Sequence, residues 1–248
     1  EAHTNLGNLL RDFWELEEAE KSFRKAIELR PNDAKTNLNL GRIRLDLDDL
    51  QEAELFLRKA IKLESDLADA HINLSIVLLK SKKYKEGWNK YDWRWEGTED
   101  KLKQLGTKLF TSKPEWELKN NGTVLLWPEQ GLGDTVLFAS LIPELVKNVD
   151  KLIVKADKRL IPLFKRSFDN KITYIDKNDV VAEEVYDYQI AMGSLPKTFR
   201  LSNESFKDIP KKLLKSDEDR TQEYRKILSA NNHKKVVGIS WKTVNKKY

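Results

Sequence analysis

A 34-residue period runs through the first hundred residues and limits the fold more than any other feature. Ala19, Ala53 and Gly87 are 34 apart, as are Leu6, Leu40 and Leu74, and Gly7, Gly41 and Ser75. Ala26 and Ala60 continue the register, and Arg94 breaks it. Within each unit the apolar spacing is helical, and turn residues such as Arg30-Pro31-Asn32-Asp33 separate the units. The small residues have a steric reason. Two antiparallel helices approach closely only where one presents Gly or Ala to the other. A period of this length predicts stacked helical pairs, each covering its neighbour's apolar face.

The chain has 248 residues, 40% of them hydrophobic, enough for a sizeable core and two ordinary domains. Its 45 basic and 40 acidic residues are interspersed and leave a net charge of only +5, which argues for a solvated surface and against a nucleic-acid partner. There is no cysteine, which excludes disulfides, thiolate metal sites and cysteine nucleophiles. His3, His71 and His233 show no metal-ligand spacing. No apolar run approaches the ~18–20 residues of a membrane helix. No signal peptide is visible, and a cytoplasmic location is expected. The chain opens at Glu1 and stops at Tyr248, so a piece of a longer protein is expected.

The stretch from Asn5 to Asp33 resembles a tetratricopeptide repeat: Leu6-Gly7, Leu10, Ala19, Phe23, Ala26 and Pro31 stand where that motif puts them. The second unit, residues 34–67, matches at Leu40-Gly41, Ala53 and Ala60. The third, from Ala68 to about Trp95, matches at Leu74, Leu78 and Tyr84 and then departs. His3 and His71 fall in the slot where the motif has Trp, a helix-packing position. The resemblance implies a right-handed superhelix over residues 1–97 whose concave groove binds a peptide or an extended protein segment. The alternatives are a rigid spacer and a dimerisation surface.

The array ends unusually. A terminal repeat normally turns polar, yet Glu86 to Gly97 reads "EGWNKYDWRWEG". Trp88, Tyr91 and Trp95 fall at i, i+3 and i+7 on one helical face, with Trp93 elsewhere. Such a face is expected to dock onto the next domain, or else to offer a stacking platform for sugar rings. Residues 98–121 read as a linker pinned by Pro114 and Trp116.

Strands and helices then alternate. Strands are expected at Thr123–Trp127, Lys151–Ala156, Ile172–Asp176, Tyr186–Met192 and Lys235–Trp241. Helices are expected at Thr135–Lys147, through "KRLIPLFKRSF", briefly in "GSLPKTF", and at Asp217–Asn231. The pattern predicts an α solenoid followed by a Rossmann-like parallel α/β domain with helices on both faces, its ligands at the carboxyl ends of the strands. The loop after Trp127 contains Gly131 and Gly133, but a dinucleotide fingerprint would need a third glycine at Val136. The P-loop lysine is also absent. Asp134 sits at the helix start, where a carboxylate would repel a phosphate. It is either a helix N-cap or a general base.

The segments "EGWNKYDWRWE", "PEWEL", "LLWPEQGLGDTVLFASLIPEL", "GSLPKTF" and "VVGISWK" together resemble a bacterial family. Its members join tetratricopeptide repeats to a domain similar to the heptosyltransferases of glycosyltransferase family nine, a GT-B fold of two Rossmann halves. The resemblance implies residues 122–233 as the first half and 234–248 as the start of the second. It makes Asp134, beside Gly133, the base in an inverting transfer from a nucleotide-sugar, with no metal or other cofactor. Glu129, Gln130, Gly131 and Thr135 would line the acceptor side. Gly193-Ser194 either lines the cleft or caps a helix. Trp241 and Lys242 are the nearest match to the donor-diphosphate contact. Most of the donor half would lie beyond Tyr248, so the full-length protein is expected to transfer a sugar and the 248-residue chain alone is not. The rival reading is a non-catalytic scaffold whose repeats bind protein partners and whose α/β part is degenerate. A dehydrogenase is disfavoured by Val136.

Overall fold

A computed structural model describes residues 1–96, 108–129, 131–207, 209 and 212–229. Six helices form three antiparallel pairs: α1 (Ala2–Asp12) with α2 (Leu16–Leu29), α3 (Ala34–Asp46) with α4 (Leu50–Leu63), and α5 (Ala68–Lys80) with α6 (Tyr84–Tyr91). Close approach within a pair needs glycine at defined points. A Cβ on Gly7 would lie 2.7 Å from the Phe23 ring, and one on Gly41 would lie 2.7 Å from Leu57. Ala19, Ala53, Leu40 and Leu74 are buried at the equivalent contacts.

The turns inside the pairs repeat to the residue. The N–H groups of Glu15, Asp49 and Lys83 bond back to the carbonyls of Leu10, Arg44 and Leu78 at 2.8–2.9 Å. This is the Schellman closure, and it places the preceding residue in the left-handed region. Trp14, Asp48 and Lys82 accordingly have φ of 63°, 61° and 60°. None is glycine, so packing of the helical pair imposes a conformation that costs an L-residue ~1–2 kcal/mol. Ion pairs then tie pair to pair: Arg44 to Glu20, Arg24 to Glu52, and Arg58 to Glu86.

The third pair is shortened. α6 has eight residues where α2 and α4 have 14. A 3-10 turn over Asp92–Glu96 follows. The single helical face expected for Trp88, Tyr91 and Trp95 is therefore broken after Tyr91. Trp95 swings out to Trp127, ring centroids 5.6 Å apart, and Trp93 turns back to stack on His71 at 3.8 Å.

The second part is a four-stranded sheet of β1 (Thr123–Trp127), β2 (Lys151–Ala156), β3 (Thr173–Asp176) and β4 (Tyr188–Ala191). All pairings are parallel, in the order β3-β2-β1-β4. α7 (Leu132–Phe138), α8 (Ile142–Val146) and α9 (Ile161–Ser167) follow the first two strands. α10 (Pro196–Phe199) follows β4, and α11 (Glu218–Ser229) comes last. Val124, Leu126, Leu152, Val154 and Ile190 bury one face with Phe138, Leu145 and Phe164 of the helices. On the other face Leu125 and Ile153 meet Tyr186, Leu109 and Val181 from connecting segments. Among the described residues, helices therefore supply the core on one face only, unlike the two-sided expectation.

The helix expected as one piece from Thr135 to Lys147 starts earlier, at Leu132, and is interrupted by a 3-10 turn over Ala139–Leu141. Pro143 has no N–H to continue the ladder, and its ring crowds the preceding turn. The expected strand at Lys235–Trp241 and the whole of residues 234–248 lie outside the described residues.

Candidate functional site

β1 sends its chain to β2 on one side, and β4 returns on the other. The strand order thus reverses between β1 and β4, and in open α/β sheets the crevice above such a point is where ligands bind. Here the repeats occupy part of it. Arg94, 2% exposed, projects from the 3-10 turn after α6. Its Nε donates to Glu129 Oε1 at 2.8 Å, and its Nη2 donates to Glu129 Oε2 at 3.0 Å and to Ser194 Oγ at 2.8 Å. Glu129 follows β1 and is 4% exposed, and Ser194 follows β4. The Tyr91 and Trp95 rings flank the guanidinium at 4.6 and 4.7 Å. This two-toothed geometry is specific to arginine. Burial pushes the Glu129 carboxyl above its usual range, against the pull of Arg94.

The docking expected of the aromatic segment extends around this pair. Trp88 Nε1 donates to the Arg200 carbonyl at 2.9 Å, and Tyr84 Oη donates to Asn203 at 3.2 Å. Lys197 pairs with Asp92 at 2.5 Å. Beside Arg94, a cleft of ~190 Å³ is walled by Trp95 and Trp127 and edged by Glu115, Gln189 and Ser194. The surrounding protein and the charge of Asp92 raise the Glu115 carboxyl's pKa. A larger hollow, ~680 Å³, lies instead at the amino ends of β1, β2 and β3, lined by Thr123, Lys151 and Thr173.

The residues singled out in the loop after β1 are placed as follows. Gly131 is the N-cap of α7, and Asp134 is its third residue, partly exposed. Asp134 is therefore not the N-cap, although a carboxylate in a first turn still suits the helix dipole. Thr135 is buried and donates its hydroxyl to the Gly131 carbonyl at 2.9 Å. A Cβ on Gly133 would meet nothing within 4 Å. Glu129 and Ser194, expected to face a substrate, have their polar atoms on Arg94 instead. Gln130, Trp241 and Lys242 lie outside the described residues.

A second polar surface lies on the repeats. α1, α3 and α5 run side by side, joined by Thr4 with Thr36 at 3.0 Å and by Asn39 Nδ2 donating to Asn8 Oδ1 at 2.9 Å. Asn5, Asn39 and Asn73 recur every 34 residues along this layer. None of the three is buried. Next to them Arg42 is half-buried, and desolvation together with the charge of Arg11 lowers its pKa.

Residues 1–33 and 34–67 each match the family model for the tetratricopeptide repeat. Residues 1–67 are two tetratricopeptide repeats. Protein FlbA of Caulobacter vibrioides (strain ATCC 19089 / CIP 103742 / CB 15) is 23% identical over 197 residues. That match covers 68% of this chain, and the chain spans only 30% of the length of that relative. Among solved structures, the Arabidopsis OM64 TPR domain is 21% identical with a TM-score of 0.36, over 37% of this chain and 75% of that one. The crystal structure of MamA is 25% identical with a TM-score of 0.36, over 37% of this chain and 53% of that one.

In the helical pair after these tetratricopeptide repeats, His71 occupies the motif's Trp slot as a buried packing residue. Its Nε2 lies 2.9 Å from the Ser65 carbonyl, and Lys90 Nζ lies 3.2 Å from its Nδ1. The carbonyl needs a proton on Nε2 and the ammonium needs a lone pair on Nδ1, so the ring is neutral. Burial is the main cause of its lowered pKa. Between that folded value and the unfolded 6.5 the unfolded chain binds more protons, so stability falls as pH drops below 6.5. The unfolding temperature is expected to fall from roughly pH 7 to pH 5.5, and His71→Gln is expected to flatten that slope. A slope unchanged by the substitution would mean another group carries it.

Proposed function

We propose that the chain is a protein-binding scaffold whose α1–α3–α5 layer holds an extended segment of a partner protein. The row of Asn5, Asn39 and Asn73 carries this reading. A carboxamide offers a donor and an acceptor together, which matches the amide groups of an extended backbone whatever its side chains. A regular row of them reads a strand-like segment along its length. Arg42, half-buried beside this row, favours an acidic residue in that segment. The crevice above β1 and β4 supports the same reading in part, because a structural arginine takes up much of the usual ligand position of the sheet and leaves a cleft of only ~190 Å³. The test is binding of an acidic, extended peptide library by fluorescence anisotropy. Asn39→Ala with Arg42→Ala is expected to weaken binding by at least ~10-fold, an amount that two lost hydrogen bonds including a charged one can supply, with little change in melting temperature. Equal binding by parent and variant would refute the groove.

A second reading is supported by the loop after β1. Gly131 to Asp134 opens at the carboxyl end of a central strand, and the space over Gly133 is free. In a longer polypeptide that completes a GT-B fold, Asp134 would be the base for sugar transfer from a nucleotide-sugar, with Lys242 near the donor diphosphate. Asp134→Asn in that longer polypeptide is expected to abolish labelled-sugar transfer and leave peptide binding intact. Transfer at the parent rate by the variant would rule Asp134 out.

A further inference from the structure

From Glu218 to Leu228, every residue of α11 except Thr221 is exposed. Its large apolar side chains are nevertheless gathered on one face. Tyr224, Ile227 and Leu228 fall at i, i+3 and i+4, with exposures of 55%, 59% and 50%. A helix of 12 residues is marginal in water by itself, so a bare apolar face on it calls for a partner. Elsewhere on the α/β part, the hollow at the amino ends of β1, β2 and β3 continues into a second one of ~450 Å³ beside α8 and α9. Val146, Asp169 and Ile172 line both, so the two form one groove. Val149 and Phe168 complete its apolar floor, and Lys147, Lys151, Lys171 and Lys215 stand around it. The four lysines have no ion-pair partner among the described residues. Only Asp150 and Asp169 offset them in the lining.

We propose that this groove seats α11 of a second copy of the chain, and that two copies exchange these helices reciprocally. The two surfaces match in polarity and in charge. The stripe of Tyr224, Ile227 and Leu228 suits the apolar floor. Glu218 and Glu223 flank that stripe, one on each side, and suit the lysines. Neither carboxylate has an ion-pair partner among the described residues. Area favours exchange over a single contact. A specific interface buries at least ~1,000 Å², more than one short helix face supplies, and reciprocity doubles it. Chain order favours it too. Lys215 lines the groove and α11 begins at Glu218, so groove and helix are neighbours in each copy. A two-fold axis beside them carries each helix to the other copy's groove, and such a contact closes at two copies. Two α11 helices packed only on each other would bury less and leave the lysines unmatched. The inference rests on neither reading of the function.

Sedimentation equilibrium of the 248-residue chain tests this, with two charge-reversed variants at exposed positions. One carries Lys147→Glu with Lys171→Glu in the groove, and the other Glu218→Lys with Glu223→Lys on the helix. The parent should pass from monomer to dimer as its concentration rises. Each variant alone should dimerise at least ~10-fold more weakly, because like charges then meet at both seats. An equimolar mixture of the two should recover the parent's dimerisation, since each seat of the mixed pair again joins opposite charges. Melting temperatures of the variants within about 2 °C of the parent monomer would show that the fold is kept. A parent that stays monomeric up to about 0.3 mM overturns the inference, and leaves α11 to be covered within the chain. A dimer that survives the groove reversal but is lost on Tyr224→Glu with Ile227→Glu also overturns it, and pairs the helices with each other. Loss in both variants without recovery on mixing overturns the reciprocal seat.

Discussion

Arg94→Ala is expected to destabilise the chain by about 3–5 kcal/mol and to lower its unfolding temperature by roughly 10 °C. The cost does not come mainly from losing attraction. It comes from leaving the Glu129 carboxylate buried and unpaired, with Ser194 also short of a partner. Replacing both charges, Arg94→Met with Glu129→Leu, should therefore recover most of the loss, because two apolar groups in the same space need no partner. The pair also joins the repeats to the sheet. Once it is gone, the links left among the described residues include Lys197 to Asp92, the bonds of Trp88 and Tyr84, and the ring contact of Trp95 with Trp127. Calorimetry of Arg94→Ala should show the α/β part melting ahead of the repeats where the parent melts in one transition. A single transition displaced by less than about 1 kcal/mol would mean that the pair behaves like an exposed one.

The helical array was legible in the sequence because its cause is periodic. Small residues every 34 positions are required wherever two helices touch, so the spacing Ala19, Ala53, Gly87 encodes the packing directly. The strands were legible as apolar runs between turns. The junction was legible only as an anomaly. Arg94 stands where Ala26 and Ala60 stand in the two earlier units, and that mismatch is the sole local trace of its role. Its partner is 35 residues away across a linker, and no period connects them. Face arithmetic places Trp95 with Trp88 and Tyr91 because it assumes that the helix continues, and α6 stops at Tyr91. Two glycines read as loop, so the sequence pattern starts α7 too late. At a helix start, however, the first N–H groups need no helical partner, so Gly131, Leu132 and Gly133 enter the turn without breaking a ladder.

Gly193→Ala should be the most damaging single-methyl change in the α/β part, about 2–4 kcal/mol. The added Cβ would lie 2.1 Å from Glu129 Oε1 and 3.1 Å from its Cδ. Such an overlap has to be relieved by movement, and a flexible side chain at a surface would give way cheaply. Glu129 does not have that freedom. Both of its oxygens are held by Arg94, and it is enclosed between β1 and the turn after β4. Either the carboxylate leaves the guanidinium or the turn of Met192–Ser194 moves off the sheet. The two causes can be separated by a cycle. If the clash acts through the ion pair, Gly193→Ala should cost much less in a chain already carrying Arg94→Met with Glu129→Ala, because the obstructing carboxylate is gone. The single and triple variants would then differ from additivity by about 2 kcal/mol. An equal cost in both backgrounds would place the clash on the other neighbour of the added methyl, Phe138, whose Cε2 lies 3.5 Å from it. In that case Gly193 would be required by the packing of α7 against the turn rather than by the arginine that the repeats send into the sheet.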